Sequence, residues 1–330
     1  MLERMRCRLV LTLCMAAMFA TVSSARAEQI VVSNYGVAAN GMPYAIAMAK
    51  GFFKQQGADV TGIISSAGGG TTVRNLLGGD LAFGEVDLAG TVAAIQQGAD
   101  LKIVSDDVLT TGEFVWAVKP DSPIKTLKDF RDHKIGYTNP RSTSQALDVL
   151  LLGTAGMAPS DVELVKVGGF GEQIVALNLG AIDIATLADP VWSKNSDKLR
   201  TVVRSTEVLP ALCNVVGVTT GKAAAAKPDF VRAIIRARRA AVAFMYSNPD
   251  DAAAIVAETY QLDLKVARDA IGNLTASRAP RPYWGEGRFD VEGMNRMLEA
   301  QKVVGALSGD VDWSKIIDRN FLPDDLKADY

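Results

Sequence analysis

The feature that most limits what this chain can fold into is an alternation of short apolar strands with helices, which runs once, breaks, and starts again. "EQIVVSNYG" reads as a strand, and "MPYAIAMAKGFFKQQG" (42–57) as one helix with Tyr44, Ala45, Met48 and Phe52 at helical spacing, stopped by Gly57. Then come strand "ADVTGIIS", helix "TTVRNLLGGD", strand "LAFGEV", helix "DLAGTVAAIQQG" and strand "LKIVSDDV". Strands joined by helices of this length predict right-handed crossovers and a mostly parallel α/β sheet.

Near residue 114 the rhythm changes. "FVWAVKP" is a strand followed at once by Pro120 and Pro123, with a short helix near 125–130. The alternation then restarts through "KIGYT", "STSQALDVLLLGTAG", "VELVKVG", "GEQIVALNLG" and "IDIATLA". This places a first lobe at 28–117, a second at 118–213, and a return to the first at 214–330, where "LCNVVGVTT" is the crossing strand and helices follow. Two lobes joined by two crossings make a two-strand hinge with a cleft between them.

Residues 1–27 stand apart: Arg4, Arg6 and Arg8, an apolar run over 9–20, then Ala25-Arg26-Ala27. That order predicts a secretory signal peptide cut after Ala27, and hence a periplasmic protein. The chain's formal net charge is −2, and 1–27 carry four Arg and one Glu, so the remainder is mildly acidic. No basic surface for nucleic acid is expected. Cys213 is the single cysteine after residue 27 and is read as a small buried apolar residue, so no intrachain disulfide is expected. The lone His133 reads as a solvated loop residue. One His and one Cys assemble no nucleophilic set and no metal cluster, so neither enzyme chemistry, nor a metal, nor a cofactor is expected.

Two loops can hold a ligand. Gly68-Gly69-Gly70 follows a strand and precedes a helix, so its amides and the helix dipole favour an anion, with Ser66 before it and Thr71 after it as hydroxyl partners. It is no Walker A loop, lacking Gly-Lys-Ser/Thr, and a plain tight turn is the alternative to ligand contact. The second loop, "TNPRSTSQ" (138–145), offers Thr138, Asn139, Ser142 and Thr143 around a helix start, with Arg141 as a fork-shaped donor to a carboxylate or sulfonate. Simple capping accounts for some of these hydroxyls. Strand-end residues supply walls: Tyr35, Asn40 and Gly41, then Glu85, Phe170, Asp189 and Trp192. Glu85, Glu113 and Asp189 oppose a simple anion site: if two of them face the cleft unpaired, a neutral or amine-bearing ligand fits better.

Three segments carry a family resemblance. "GMPYAIAMAKGFFKQQGADV", "GGGTTVRNLLGGDLAFGEV" and "AGMAPSDVELVKVGGFGEQIVALNLGAIDIATLADPVW" together resemble periplasmic solute-binding proteins of the NMT1/THI5-like superfamily, which includes the aliphatic-sulfonate, taurine and nitrate group. The resemblance implies a type II periplasmic binding protein fold whose lobes close over a small solute. It implies a monomer that delivers a small organic anion to an ABC permease in the inner membrane, driven by a cytoplasmic ATPase. A thiamine-precursor or pyrimidine receptor, and a sensory module for a receptor kinase, are the alternatives. It also implies that the 138–145 loop touches the solute.

Overall fold

The computed structural model describes residues 28–276 and 280–330; the signal peptide expected over 1–27 lies outside the described residues. The strands, in chain order, are β1 (Glu28–Ser33), β2 (Val60–Ser66), β3 (Gly84–Asp87), β4 (Leu101–Val108), β5 (Phe114–Val118), β6 (Lys134–Tyr137), β7 (Glu163–Lys166), β8 (Ile184–Ala188), β9 (Arg200–Arg204), β10 (Val215–Thr220) and β11 (Trp284–Gly287). Helices of eight residues or more are α1 (Met42–Ala49), α2 (Gly69–Gly78), α3 (Leu88–Gln96), α4 (Thr143–Thr154), α5 (Phe170–Leu179), α6 (Pro228–Ser247), α7 (Pro249–Tyr260), α8 (Leu264–Thr275) and α9 (Val291–Val303).

Two sheets form, with strand orders β11-β4-β10-β3-β1-β2 and β7-β6-β8-β5-β9. Each is mixed rather than mostly parallel. β1 pairs in parallel with β2 and β3, and β6 with β7 and β8, but β10 runs antiparallel to β3 and β4, and β5 antiparallel to β8 and β9. The reversal follows from the crossings. β4 and β9 run towards the gap between the lobes, so a chain that has just crossed enters the other sheet from that side, heading the opposite way.

Strand β5 also moves the border drawn from the sequence. It pairs with β8 and β9, so all of Phe114–Val118 belongs to the second sheet, and the chain crosses at 109–113 and returns at 205–214. The prolines at 120 and 123 close a turn after β5 rather than mark a lobe boundary. A hydrogen bond of 2.6 Å between the Thr111 and Ser205 hydroxyls ties the two crossings together. The helix expected over 42–57 is likewise two pieces: it breaks at Gly51, whose φ of 69° is left-handed, before a short helix at Phe52–Gln55.

Period-2 alternation explains how the second sheet is covered on both faces. Phe114, Trp116 and Val118 enter the large core, while Val115 and Ala117 pack on the other face with Leu177, Ile182 and Leu187. Each buried Val, Leu, Ile or Phe among them contributes about 1.5–3 kcal/mol. The C-terminal helices bind the lobes together from outside. α6 packs on α1 and β11, α9 packs on α4 of the second lobe, and α8 packs on the short helix Val191–Asn195.

Among these helices α6 buries a charge. Arg238 is 2% exposed; its Nη1 donates to the Gly285 carbonyl at 2.6 Å and its Nη2 to the Asp107 carbonyl at 2.6 Å. Its Nε lies 3.4 Å from Asp107 Oδ2 and 3.7 Å from Glu85 Oε1. Glu85 also accepts a 2.8 Å hydrogen bond from Asn40 Nδ2, and Tyr44 Oη donates to Asp107 Oδ2 at 3.1 Å. Cys213 is fully buried and free. His133 is not simply solvated: its Nδ1 lies 3.3 Å from Asp183 Oδ2.

Candidate functional site

A cleft of about 750 Å³ opens between the two sheets, lined from both lobes and from both crossings. It gathers the loops that follow β1, β2, β6 and β8, the carboxyl ends where ligands bind in open α/β sheets.

On the first lobe the triple glycine forms one corner. Gly68, with φ 75° and ψ 168°, holds a conformation open to glycine, and α2 starts at Gly69 without a side-chain cap. A Cβ at Gly69 would fall on the carboxylate of Asp87, which explains why glycine stands there. Asp87 Oδ1 accepts from the Gly90 amide at 2.6 Å, and Gly69 also donates its amide to this carboxylate. One internal carboxylate therefore serves the N-termini of both α2 and α3. Burial pushes the Asp87 carboxyl up, against the pull of the Gly90, Asp87 and Gly69 amides. Part of the positive potential expected for a solute is thus already matched by the protein itself. Gly70 is different: a Cβ there would meet only Arg74 Nη1, at 3.7 Å, so it borders open cleft. Thr71 accepts at 2.9 Å from Nη2 of the exposed Arg74, which holds that guanidinium over the corner.

Facing it on the second lobe is the hydroxyl loop. Ser142 caps α4 by accepting from the Gln145 amide at 3.3 Å. Ser144 sits at the centre of the loop, accepting from the Thr138 amide at 3.0 Å and lying 2.9 Å from both the Thr138 and Ser142 hydroxyls. Thr143 reaches back to the return crossing, donating to Asn214 Oδ1 at 3.2 Å. Arg141 takes a left-handed backbone, φ 66°, fixed by its amide donating to Gln145 Oε1 at 2.7 Å, and its side chain is exposed at the cleft. An aromatic wall completes this side, with Phe114 and Phe170 edge to face at 6.0 Å.

The inner end of the cleft is acidic. Glu113, on the first crossing, accepts from Asn214 Nδ2 at 3.2 Å through Oε1, and the Tyr283 hydroxyl also serves its carboxyl. Burial pushes its carboxyl up to about 8. Asp189 accepts from the Ser193 hydroxyl at 2.5 Å and amide at 3.2 Å through Oδ1, and from Asn273 Nδ2 of α8 at 3.2 Å through Oδ2. Burial raises it to about 6. Among the described residues, the cations lining the cleft are Arg74 and Arg141, both exposed, whereas Glu113 and Asp189 are buried.

Of the residues singled out from the sequence, Asn40, Gly69, Gly70, Thr71, Thr138, Asn139, Arg141, Ser142, Thr143, Phe170 and Asp189 line this one cleft. Five do not. Glu85 is fully buried beneath Asn40 against Arg238, and Ser66 turns inward to the Thr72 hydroxyl at 2.7 Å. Tyr35 packs edge-on against Tyr260 at 5.5 Å, and Gly41 gives room to that same pair. Trp192 belongs to the second-lobe core, with the Arg204 guanidinium 5.7 Å from its ring. Asp87, Asn214, Tyr283 and Arg74 line the cleft without having been singled out. Asp87 carried a signal, an acidic residue directly before an apolar helix; Asn214 and Tyr283 reach the site only through long-range packing.

Two α/β lobes joined by two crossings around a polar cleft define the fold of type II periplasmic binding proteins. Residues 38–252 match the NMT1/THI5-like family model, and the chain belongs to that family. Solved structures agree on the fold. The aliphatic sulphonate binding protein SsuA of Escherichia coli superposes with TM-score 0.71 at 18% identity, over 85% of this chain and 87% of that one. The alkanesulfonate-binding SsuA of Xanthomonas axonopodis pv. citri, bound to MOPS, gives 0.70 at 15%, over 88% and 97%. The periplasmic nitrate-binding protein NrtA of Synechocystis gives 0.67 at 15%, over 90% and 87%. A search among curated proteins finds no match.

Proposed function

We propose that this protein is the solute-binding component of an ABC importer, exported to the periplasm, where it takes a small organic anion between its lobes and passes it to a membrane permease. One observation carries this reading: two corners from opposite lobes, the glycine turn at 68–70 and the hydroxyl loop at 138–144, line one cleft with an exposed arginine at each. Family membership and the sulfonate- and nitrate-binding neighbours support it. No helix among the described residues is long and apolar enough to cross a membrane, in keeping with a carrier that works beside one. Closure follows from contacts the solute makes only when both lobes meet it. The protein performs no chemistry on its cargo in this reading.

A thermal-shift series with sulfonates, carboxylates, nitrate and pyrimidines tests it. A true ligand at about 100 times its dissociation constant stabilises by about 2.7 kcal/mol, a rise of several degrees for a chain of this size. If uncharged pyrimidines alone raise the melting temperature, the cargo is not an anion. Arg141→Ala is expected to weaken acidic ligands about tenfold, since it removes a charge-assisted donor at the mouth. Titration calorimetry checks this, and an unchanged affinity removes Arg141 from the site.

A further inference from the structure

We infer that the cleft has a side arm, closed by Gln301 near the end of α9, which takes the tail of the solute and selects a neutral hydroxyl at its tip. This rests on the receptor reading above and adds a specificity-determining residue to its site.

Gln301 is 1% exposed and lines the cleft from α9, the helix that packs on α3 of the first lobe and α4 of the second. Its carboxamide is poorly satisfied. Nε2 makes one long contact, 3.8 Å to Met297 Sδ, and Oε1 has no hydrogen-bond partner among the described residues. A thioether is a weak acceptor, and a buried amide left in this state carries the desolvation cost of its polar atoms. Leu would fill the same space without that cost. The carboxamide is therefore of use only to something that bonds it from the cleft.

The walls beside it are small. α9 is followed by a left-handed turn at Gly305, φ 68°, which folds Ala306 back so that its amide donates to the Gln301 carbonyl at 2.9 Å. On the neighbouring α3 stand Ala89 and Ala93, one turn apart, and all three alanines line the cleft half-buried. The arm is continuous with the glycine corner. A Cβ at Gly90 would lie 3.2 Å from the Gly69 Cα, so the first turn of α3 abuts that corner. At the other end of α3, Gln96 Nε2 donates to the Ser308 carbonyl at 2.9 Å, just past Ala306. From Gly90 to Gln96 the helix rises about 9 Å. An anion held at the corner reaches Gln301 through a chain of several atoms, along methyl groups that suit an aliphatic stem.

The tip of that chain is set by the amide. A hydroxyl both donates and accepts, so it bonds Oε1, or the NH2 group once the carboxamide rotates. A methyl in its place seals Gln301 bare, which is how buried polar groups reject the wrong ligand. A second ionised group would be buried among alanines with no counter-ion.

The test uses the whole protein and pairs of equal length that differ only in a terminal hydroxyl or methyl: 3-hydroxypropanesulfonate with butanesulfonate, 4-hydroxybutanesulfonate with pentanesulfonate, 4-hydroxybutanoate with pentanoate, and 5-hydroxypentanoate with hexanoate. Titration calorimetry is expected to show at least one hydroxyl member binding about tenfold more tightly than its methyl partner. Gln301→Leu is expected to reverse that order, weakening the hydroxyl member and strengthening the methyl one. A merely structural role for Gln301 would move both alike. Ala93→Leu, which narrows the arm from the facing helix and keeps the amide, is expected to weaken both members of that pair together. Equal or tighter binding of the methyl member in every pair, a hydroxyl preference that survives Gln301→Leu, or affinities untouched by Ala93→Leu overturns the proposal and leaves the receptor reading standing. Absence of binding by every member, with the protein folded, overturns it as well, and the thermal-shift series then decides the receptor reading by itself.

Discussion

Arg238→Ala should destabilise the fold by about 3–5 kcal/mol, because it strips the cation from a buried cluster and leaves the acids behind. Glu85 and Asp107 are essentially unexposed, and each already has one oxygen without a hydrogen-bond partner. The guanidinium also donates to the carbonyls of Gly285 and Asp107, so β11 and β4 lose a bridge as well. At about 2–4 °C per kcal/mol for a chain this long, the melting temperature should drop by roughly 10 °C. Urea unfolding measures it. Burial raises the Glu85 carboxyl to about 8 even with Arg238 opposing it, so below that pH Glu85 is protonated with or without the cation, and the loss should grow only as pH rises above about 8. A change below about 1 kcal/mol at pH 7.5 would mean that the cluster is not held by this charge.

The second large effect is a stability that rises on mild acidification. Glu113, Asp148 and Asp189 are raised by burial from 4.5, 3.8 and 3.8 to about 8, about 7 and about 6. In each case the native state holds a proton that the unfolded chain has given up. Their stabilisation is therefore complete below the unfolded values and is lost as pH rises through the native ones. Carboxylates such as Asp161 and Asp325, lowered by hydrogen bonds, act in the opposite sense, but only as pH falls below about 4. Between pH 8 and pH 5 the buried acids decide, with a gain of several kcal/mol. The melting temperature should be at least about 6 °C higher at pH 5 than at pH 8. Asp148→Asn, which keeps a partner for Trp116 and Thr186, should flatten that slope; a melting temperature equal or lower at pH 5 contradicts the account.

How far the sequence reveals this molecule depends on the range of the interaction. The alternation of strands and helices is local, so both α/β halves and the two loops that line the cleft can be read from periodicity and turn residues. Strand pairing is not local. "FVWAV" reads as a strand anywhere, and only its neighbours β8 and β9 assign it to the second sheet. The same limit governs the site. Gly69 stands out in any reading, yet its reason is Asp87, eighteen residues away, and what looked like a vacant anion corner is partly filled by the chain's own carboxylate. Glu85 lies within β3 rather than after it, and is buried against Arg238, a residue on α6 that no nearby motif announces. Tyr35 and Trp192 show that an aromatic at a strand end finds a packing partner as readily as a solute.

The central claim is that solute enters between the glycine corner and the hydroxyl loop, and it is tested most directly by filling that space. Gly70→Phe adds bulk where a Cβ meets only the tip of Arg74, so the fold should keep its melting temperature. Calorimetric titration with a solute found in the thermal-shift series should then give one-site heat for the wild type and none for the variant. Undiminished binding by a folded Gly70→Phe protein would place the solute somewhere other than this cleft.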